Sequence, residues 1–420
     1  MLRVLPSLQT ITRREAVARL GAFLLAVPGK GTLLEDLVKT GFLYFWEATD
    51  TSTGVVKDRA LADGQADPRQ IGSIAATGFG LTALCIGAER GYLGKARVEQ
   101  RVVSTLEYLW EHLPHHEGFF YHFVNVSSGT REWKCELSSI DTALLMCGVL
   151  TCGEYWRNTR IRRLAEQIYR RVDWRWMLDG GECFSHGWKP ESGFLKNRWD
   201  HYCEHMLLYL LAIGSPTHPI PAASWHAWRR PVIEYQGMRF ISVNAPLFVH
   251  QYSHAWFDFA GKRDRYTDYF YNSVLATKAH KLFCMNLKPR FPEFGENLWG
   301  ISASDSAKGY RAWGGPPEHG KLDGTIVPCA AGGSIPFLPR ETVQTLAKIR
   351  ERFGEKVWKR YGFIDAFNPH TNWFNPDVIG IDVGITMLMA ENYSSGFVWR
   401  TFMRIRDARR AMHRAGFFPV

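Results

Sequence analysis

From residue 34 onward, apolar side chains recur at the three- and four-residue spacing of a helix face, and the strict alternation of a half-buried strand is rare. That spacing predicts helices over 34–48, 73–91, 97–112, 138–157, 159–172, 199–213, 247–260, 264–285, 341–352, 382–392 and 396–414. So many helices, joined by loops rich in Gly, Pro and aromatic residues, predict an all-α fold in which helical hairpins close into a ring, the (α/α)6 barrel. A solenoid has the same periodicity, but the chain shows no repeat of fixed length. Neither a linker nor an abrupt charge shift interrupts residues 34–420, which are expected to form one domain.

In such a ring the long loops at one end build the site, and 112–136, 179–200, 286–340 and 361–381 are the loops richest in polar and aromatic residues. Loops longer than about 12–15 residues in a compact domain are commonly functional. Residues 1–33 stand apart. Arg13 and Arg14 precede a short apolar segment, which reads either as a twin-arginine export signal to the periplasm or beyond, or as a first amphipathic helix of a cytoplasmic protein.

Composition adds an aromatic content of 14%, more than an ordinary core needs and suited to stacking on sugar rings, although a bulky helical core would also account for it. The net charge of +10 is spread along the chain except in "RTFMRIRDARRAMHRAG", where Met and Phe interleave with Arg at helical spacing. A docked terminal helix fits that pattern better than a nucleic-acid arm. No other segment approaches the roughly 20 apolar residues of a membrane span. Eight cysteines without a CxxC pair are expected to be mostly free and buried. A monomer is expected.

Three acidic groups could carry chemistry. Glu204 follows Asp200 by four residues and precedes the apolar "HMLLYLLAIG", so both carboxylates would share one helix face, and desolvation would raise the pKa of Glu204 as a general acid requires. Asp382 lies between glycines and apolar residues in "VIGIDVGITMLMAENY", where it is either functional or a helix cap. Asp141 and Glu136 open a third helix, with capping and sugar binding as the alternatives. The run "HYCEH", with His201, Glu204 and His205, also matches a zinc-peptidase pattern, and His250 and His254 form another pair four apart.

Taken in order, "TGVVKDR", "SIAATGFGLTAL", "GFFYHFVNVSSG", "ELSSIDTALLMCGVL", "YLLAIGSPTHPI", "FVHQYSHAWFDF", "WGISASDSAKGYRAWGGPP", "DGTIVPCAAGGSIPF", "YGFIDAFNP" and "GIDVGITMLMAENYSSGFVW" resemble the bacterial glycoamylase-like family, whose members include β-1,2-glucanases of glycoside hydrolase family 144. The resemblance covers about residues 36–405 and implies an (α/α)6 barrel, inverting cleavage of a glucan, Glu204 as general acid and Asp382 on the base side. It also implies sugar-binding roles for Asp58, Arg59, Tyr121, His122, Asp141, Tyr252, His254, Trp299, Asp305, Tyr310 and Trp313. An oligo- or polysaccharide is the expected partner, with no metal or organic cofactor. Inversion typically sets the two carboxyl groups about 6.5–9.5 Å apart, leaving room for a water between them. The chain departs from the family at Val383 and Ile385, after the Asp, and at Cys203, before the Glu. Two other classes remain: a zinc peptidase with Glu204 as base, and a glucan-binding protein without turnover.

Overall fold

Helices that are apolar all round alternate along the chain with helices that are apolar on one side, and this difference decides which lie inside. The computed structural model describes residues 32–156, 159–243 and 246–420; the arginine pair and the apolar segment after it lie outside the described residues. Helix α1 (Leu33–Glu47) opens with a reciprocal cap between Thr32 and Glu35. The chain continues through α2 (Ile74–Glu89), α3 (Lys95–Glu111), α4 (Ser139–Trp156), α5 (Thr159–Arg171), α6 (Met206–Gly214) and the short α7 (Ser224–Ala227). It then forms α8 (Tyr269–Asn286), α9 (Pro328–Gly332), α10 (Pro339–Phe353), α11 (Gly380–Ser395), α12 (Phe397–Phe402) and α13 (Arg406–Arg414).

The inner ring runs α2, α4, α6, two turns of 3-10 helix at Leu247–His250 and Tyr252–Ala255, α9 and α11, which packs back on α2. Every residue of α2 from Ile74 to Gly87 is buried, as are all of α6. Polar side chains close the gaps where the ring is not helix on helix. Ser253 Oγ donates to the Glu204 carbonyl and accepts from the Leu207 N–H, and Gln251 Nε2 donates to Ala330 O and Ser334 Oγ. Outside, α1 covers α2 and α11, α3 covers α2, α5 covers α4, α8 covers the first 3-10 turn and α10 covers α9. The missing outer partner of α6 is supplied by the C-terminal α13. This is the (α/α)6 barrel expected, with the terminal amphipathic stretch docked on the wall.

Several element boundaries differ from the periodicity. The helix predicted over 199–213 begins only at Met206, because residues 200–205 form a bridge and turns. Residues 247–260 hold two 3-10 turns in place of one helix, and α8 starts at Tyr269, where Asp268 caps it by accepting from the Tyr271 N–H. The predicted 396–414 helix is broken between Phe402 and Arg406. The short α7 and α9 were not anticipated. Strands of two to four residues pair near the helix ends; Arg59–Leu61 lies antiparallel to Asp377–Ile379, and Ile71–Ser73 to Phe123–Asn125. All eight cysteines are free, and six are buried. No helix among the described residues is long and apolar enough to cross a membrane.

The tightest crossing in the ring joins α2 to α4. A Cβ at Gly148 would stand 2.1 Å from the Gly78 carbonyl oxygen, and one at Gly78 would stand 2.3 Å from the Leu144 oxygen. Neither neighbour is a movable side-chain tip. Gly148→Ala is therefore expected to lower stability by about 1–3 kcal/mol in thermal or urea unfolding, the usual range for overpacking; an unchanged midpoint would show that the crossing has slack.

Candidate active site

Out-and-back winding brings the N-terminal ends of the inner elements to one end of the barrel, where residues from them line a cleft of about 490 Å³. Ser73 precedes α2, Asp141 sits in the first turn of α4, Glu204 lies just before α6, Phe248 and Tyr252 belong to the 3-10 turns, and Asp382 lies in the first turn of α11. Helix N-termini carry partial positive charge, so this end of the ring favours carboxylates. Asp141, Glu204 and Asp382 each keep only 8% of their surface exposed, buried yet reached from the cleft.

Glu204 does not share a helix face with Asp200. Asp200 lies at the surface and bonds His201, whereas Glu204 is folded inward by the turn before α6, its carbonyl tied to Ser253. Burial raises the pKa of Glu204 from its ordinary value; the Cys203 thiol, which hydrogen-bonds Oε2, works in the opposite direction. The same turn dismantles the zinc pattern. His205 is buried against Trp199, Tyr209 and Trp228 with neither ring nitrogen bonded, while His201 stays at the surface. Among the described residues no group of three or more His, Cys, Asp or Glu side chains is arranged to hold a metal.

Asp382 is reached through close packing. A Cβ at Gly380 would meet Ala76 at 2.8 Å, and one at Gly384 would meet Phe79 at 2.5 Å, so the flanking glycines admit α2 rather than substrate. Burial raises the Asp382 carboxyl to about 6, against hydrogen bonds from Asp365 and Cys329 that hold it down. Val383 and Ile385 are buried in the packing around α11, away from the cleft.

Also in the cleft, His122 stands between two carboxylates, with Nδ1 3.1 Å from Glu136 Oε1 and Nε2 3.5 Å from Asp141 Oδ2. Burial works against the charged ring, but Asp141, Glu136 and Asp58 outweigh it and hold its pKa up to about 9. Asp141 also accepts from Ser138 Oγ, whose oxygen in turn caps the Asp141 N–H, so the residue serves the helix start and the cleft together. Arg59 bridges Asp58 at 3.1 Å and Asp305 at 2.8 Å. Burial opposes its charge, and the two carboxylates more than compensate.

Of the residues expected to bind sugar, Asp58, Arg59, His122, Asp141, Tyr252 and Tyr310 line the cleft with Glu204 and Asp382. Others do not. Asp305 lies one step behind, anchoring Arg59, and Tyr121 packs under the Arg131 guanidinium outside the lining. His254, Trp299 and Trp313 are buried in the packing, His254 bonding Ser273 and Trp313 donating to Ser304. Spacing cannot separate an aromatic residue that supports a loop from one that faces its cavity.

Trp133, Phe123 and Asp365 are among the lining or supporting residues that were not anticipated. Trp133 is 64% exposed and, with Lys134, adopts the left-handed backbone region at φ 52° and 48°. Such a conformation is uncommon for bulky residues and concentrates at functional sites. Its ring meets Phe123 edge-on at 4.9 Å, and Phe123 stacks on His122 at 3.9 Å, making a ladder at the cleft. Asp365, in "YGFIDAFNP", is buried beside Asp382. A carboxylate flanked by Ile364 and Ala366 was the available signal.

The Glycoamylase family model, which describes glucoamylase-type proteins, matches residues 196–406, half of the chain. An exo-β-1,2-glucooligosaccharide sophorohydrolase acting at the non-reducing end, from Parabacteroides distasonis, is 26% identical over 91% of this chain, which spans 57% of that relative's length. A Bacteroides caccae structure bearing the same family designation superposes with a TM-score of 0.85 at 29% identity, covering 92% of this chain and 99% of its own. The endo-β-1,2-glucanase of Chitinophaga pinensis, solved with sophorotriose and glucose, gives 0.84 at 27%, covering 92% and 97%.

The His122 cluster makes stability depend on pH. A folded-state pKa raised from the ordinary value of about 6.5 to about 9 contributes stability that is fully present below about pH 6.5 and lost as the pH rises through about 9. Urea unfolding from pH 6 to 10 is expected to register that decline, and His122→Ala to flatten it. Equal slopes in both proteins would remove His122 from the account.

Proposed function

Because the chain belongs to the glycoamylase family, we propose that it is a glycoside hydrolase that cleaves a β-1,2-linked glucan by inverting acid–base catalysis. The observation that carries this is the meeting of Glu204 and Asp382, two buried carboxyl groups with raised pKa values, in one cleft that has aromatic rings on its wall. Glu204, whose protonated form burial favours, gives its proton to the glycosidic oxygen as the bond to the anomeric carbon breaks. A water attacks that carbon from the opposite ring face, and Asp382 takes the proton the water releases. Asp382 ionises more readily than a buried carboxyl otherwise would because Asp365 and Cys329 bond it, while Glu204 is bonded by the Cys203 thiol and its own backbone N–H.

Recognition divides between charge and stacking. Arg59, His122, Asp58 and Asp141 present donors and acceptors to sugar hydroxyls, and Tyr252, Tyr310 and Trp133 present rings. The β-1,2 linkage is supported by two relatives that share it, one exo-acting and one endo-acting. Val383 and Ile385, where the chain departs from the family, lie outside the cleft, so they give no support to a binding protein without turnover.

Reducing-end release from a panel of linkage-defined glucans tests the proposal. β-1,2-Glucan or its oligosaccharides should be cleaved, and Glu204→Gln should lose at least a hundredfold in kcat, the lower bound usual for a general acid. Near-wild-type turnover by Glu204→Gln on every cleaved glucan would refute the acid. Removing the ring of Trp133 is a second test. Trp133→Ala keeps a non-glycine residue on the same backbone and should raise KM for longer oligosaccharides roughly two- to tenfold with little change in kcat, as loss of one aromatic contact implies. A KM independent of chain length in both proteins would take Trp133 out of the binding surface.

A further inference from the structure

Asp365 is buried among Ile364, Ala366 and the α11 start, with 4% of its surface exposed; among the described residues no Lys, Arg or His lies within salt-bridge distance of it, and Arg59 acts on it only from a longer range. Its Oδ2 accepts from the Asp305 N–H at 2.8 Å and from Asn375 Nδ2 at 3.1 Å. Its Oδ1 meets no N–H or hydroxyl donor. The carboxyl lies within hydrogen-bonding reach of Asp382, whose other close donor is the Cys329 thiol. Asp365, Asp382 and Cys329 also share the wall of a small cavity of about 30 Å³, lined by both apolar and hydroxyl groups, among them Val378, Val383 and Thr386. Among the described residues neither carboxylate of the pair forms a salt bridge.

Two carboxyl groups facing each other without a cation repel if both are ionised, and bind strongly if one proton lies between them. The proton belongs on the more enclosed member. Asp365 is further from the cleft and is not among its lining residues, whereas Asp382 is. Oδ2 is already saturated by donors, which leaves Oδ1 as the atom that carries the hydrogen.

We propose that Asp365 is a permanently protonated positioning residue that donates a hydrogen bond from Oδ1 to Asp382, fixing that carboxylate's orientation and keeping it ionised for its work as base. This rests on the assignment of Asp382 made above. During turnover Asp365 neither gains nor loses a proton: the proton from water is taken by Asp382 and leaves through the cleft. Burial pushes the Asp365 carboxyl well above the usual range, in keeping with a neutral donor, and its bond lowers the pKa of Asp382. The chain of contacts continues to Asp305, whose Oδ2 receives Asn375 Nδ2 at 3.0 Å and Arg59 at 2.8 Å, so one polar network joins the base to the arginine at the cleft.

The test compares Asp365→Asn, Asp365→Ala and Asp382→Asn with the full chain over pH 4–9, on whichever glucan the wild type cleaves. Asparagine has the same shape, and its amide can accept from Asp305 and Asn375 while its –NH2 donates to Asp382. Asp365→Asn should therefore keep kcat within a few-fold and leave the acidic limb near its wild-type position, expected at about pH 6 where Asp382 ionises. Asp365→Ala loses the donor; kcat should fall roughly tenfold or more, as for a hydrogen bond to a charged group, and the acidic limb should move to higher pH.

If Asp365→Asn loses as much as Asp382→Asn, Asp365 must itself ionise or exchange protons, and the proposal is overturned; this comparison holds even if the alanine variant does not fold. A folded Asp365→Ala with an unmoved acidic limb overturns it as well. Asp382→Asn separates these outcomes from a failure of the base assignment. Its loss of turnover confines any failure to Asp365, whereas retained turnover would overturn the base and this inference with it.

Discussion

The structure turns on the direction in which its inner helices point. Because each hairpin returns the chain to the same end of the ring, the N-terminal ends of α2, α4, α6 and α11 reach one cleft, and their combined field favours negative charge there. That allows acidic side chains to be half-desolvated at a place where burial alone would make them costly. Arg59 and His122 supply the remaining compensation by direct contact with Asp58, Asp305, Glu136 and Asp141, whereas the Asp365–Asp382 pair has no cation in direct contact among the described residues. Two carboxyl groups of the same chemical type are thus tuned by surroundings of different polarity: Glu204 with a thiol as its bonded neighbour, and Asp382 with an acid and a thiol.

The barrel was legible in the sequence because its inner helices are apolar all round and its outer ones on a single side. Where the ring departs from long helices, the sequence misleads. Residues 247–260 have helical spacing but form two tight turns, where the hydrogen bonds of Gln251 and Ser253 act beside the packing of Tyr252 and Trp256 on Phe79. Likewise Asp200 and Glu204 are four apart, yet the chain turns between them, and one carboxylate goes to the surface while the other goes inside.

The site was partly legible for a related reason. A buried charge in an apolar segment stands out, so Glu204 and Asp382 could be picked from the chain, and the resemblance to the glycoamylase-like family singled out the same two. Aromatic residues in polar loops carry no such mark. Trp299 and Trp313 resemble Tyr310 in their surroundings along the sequence, but they brace the long loop from within, and Tyr310 faces the cleft. Trp133 escaped notice because what distinguishes it is a backbone angle, which no spacing records.

The glycines of α11 have a consequence for how such proteins diverge. Gly380 and Gly384 let α2 press on the helix that carries Asp382, so the carboxyl groups sit on a frame with almost no freedom to slide. The rings of Trp133 and Tyr310 stand on loops outside that helix-to-helix contact, but the Tyr310 loop also carries Asp305, whose N–H is bonded to Asp365 beside Asp382. A change in the Trp133 loop can therefore reshape the rim of the cleft while Asp382 stays on its fixed helix, whereas a change around Asp305 is felt at the rim and at Asp382 together.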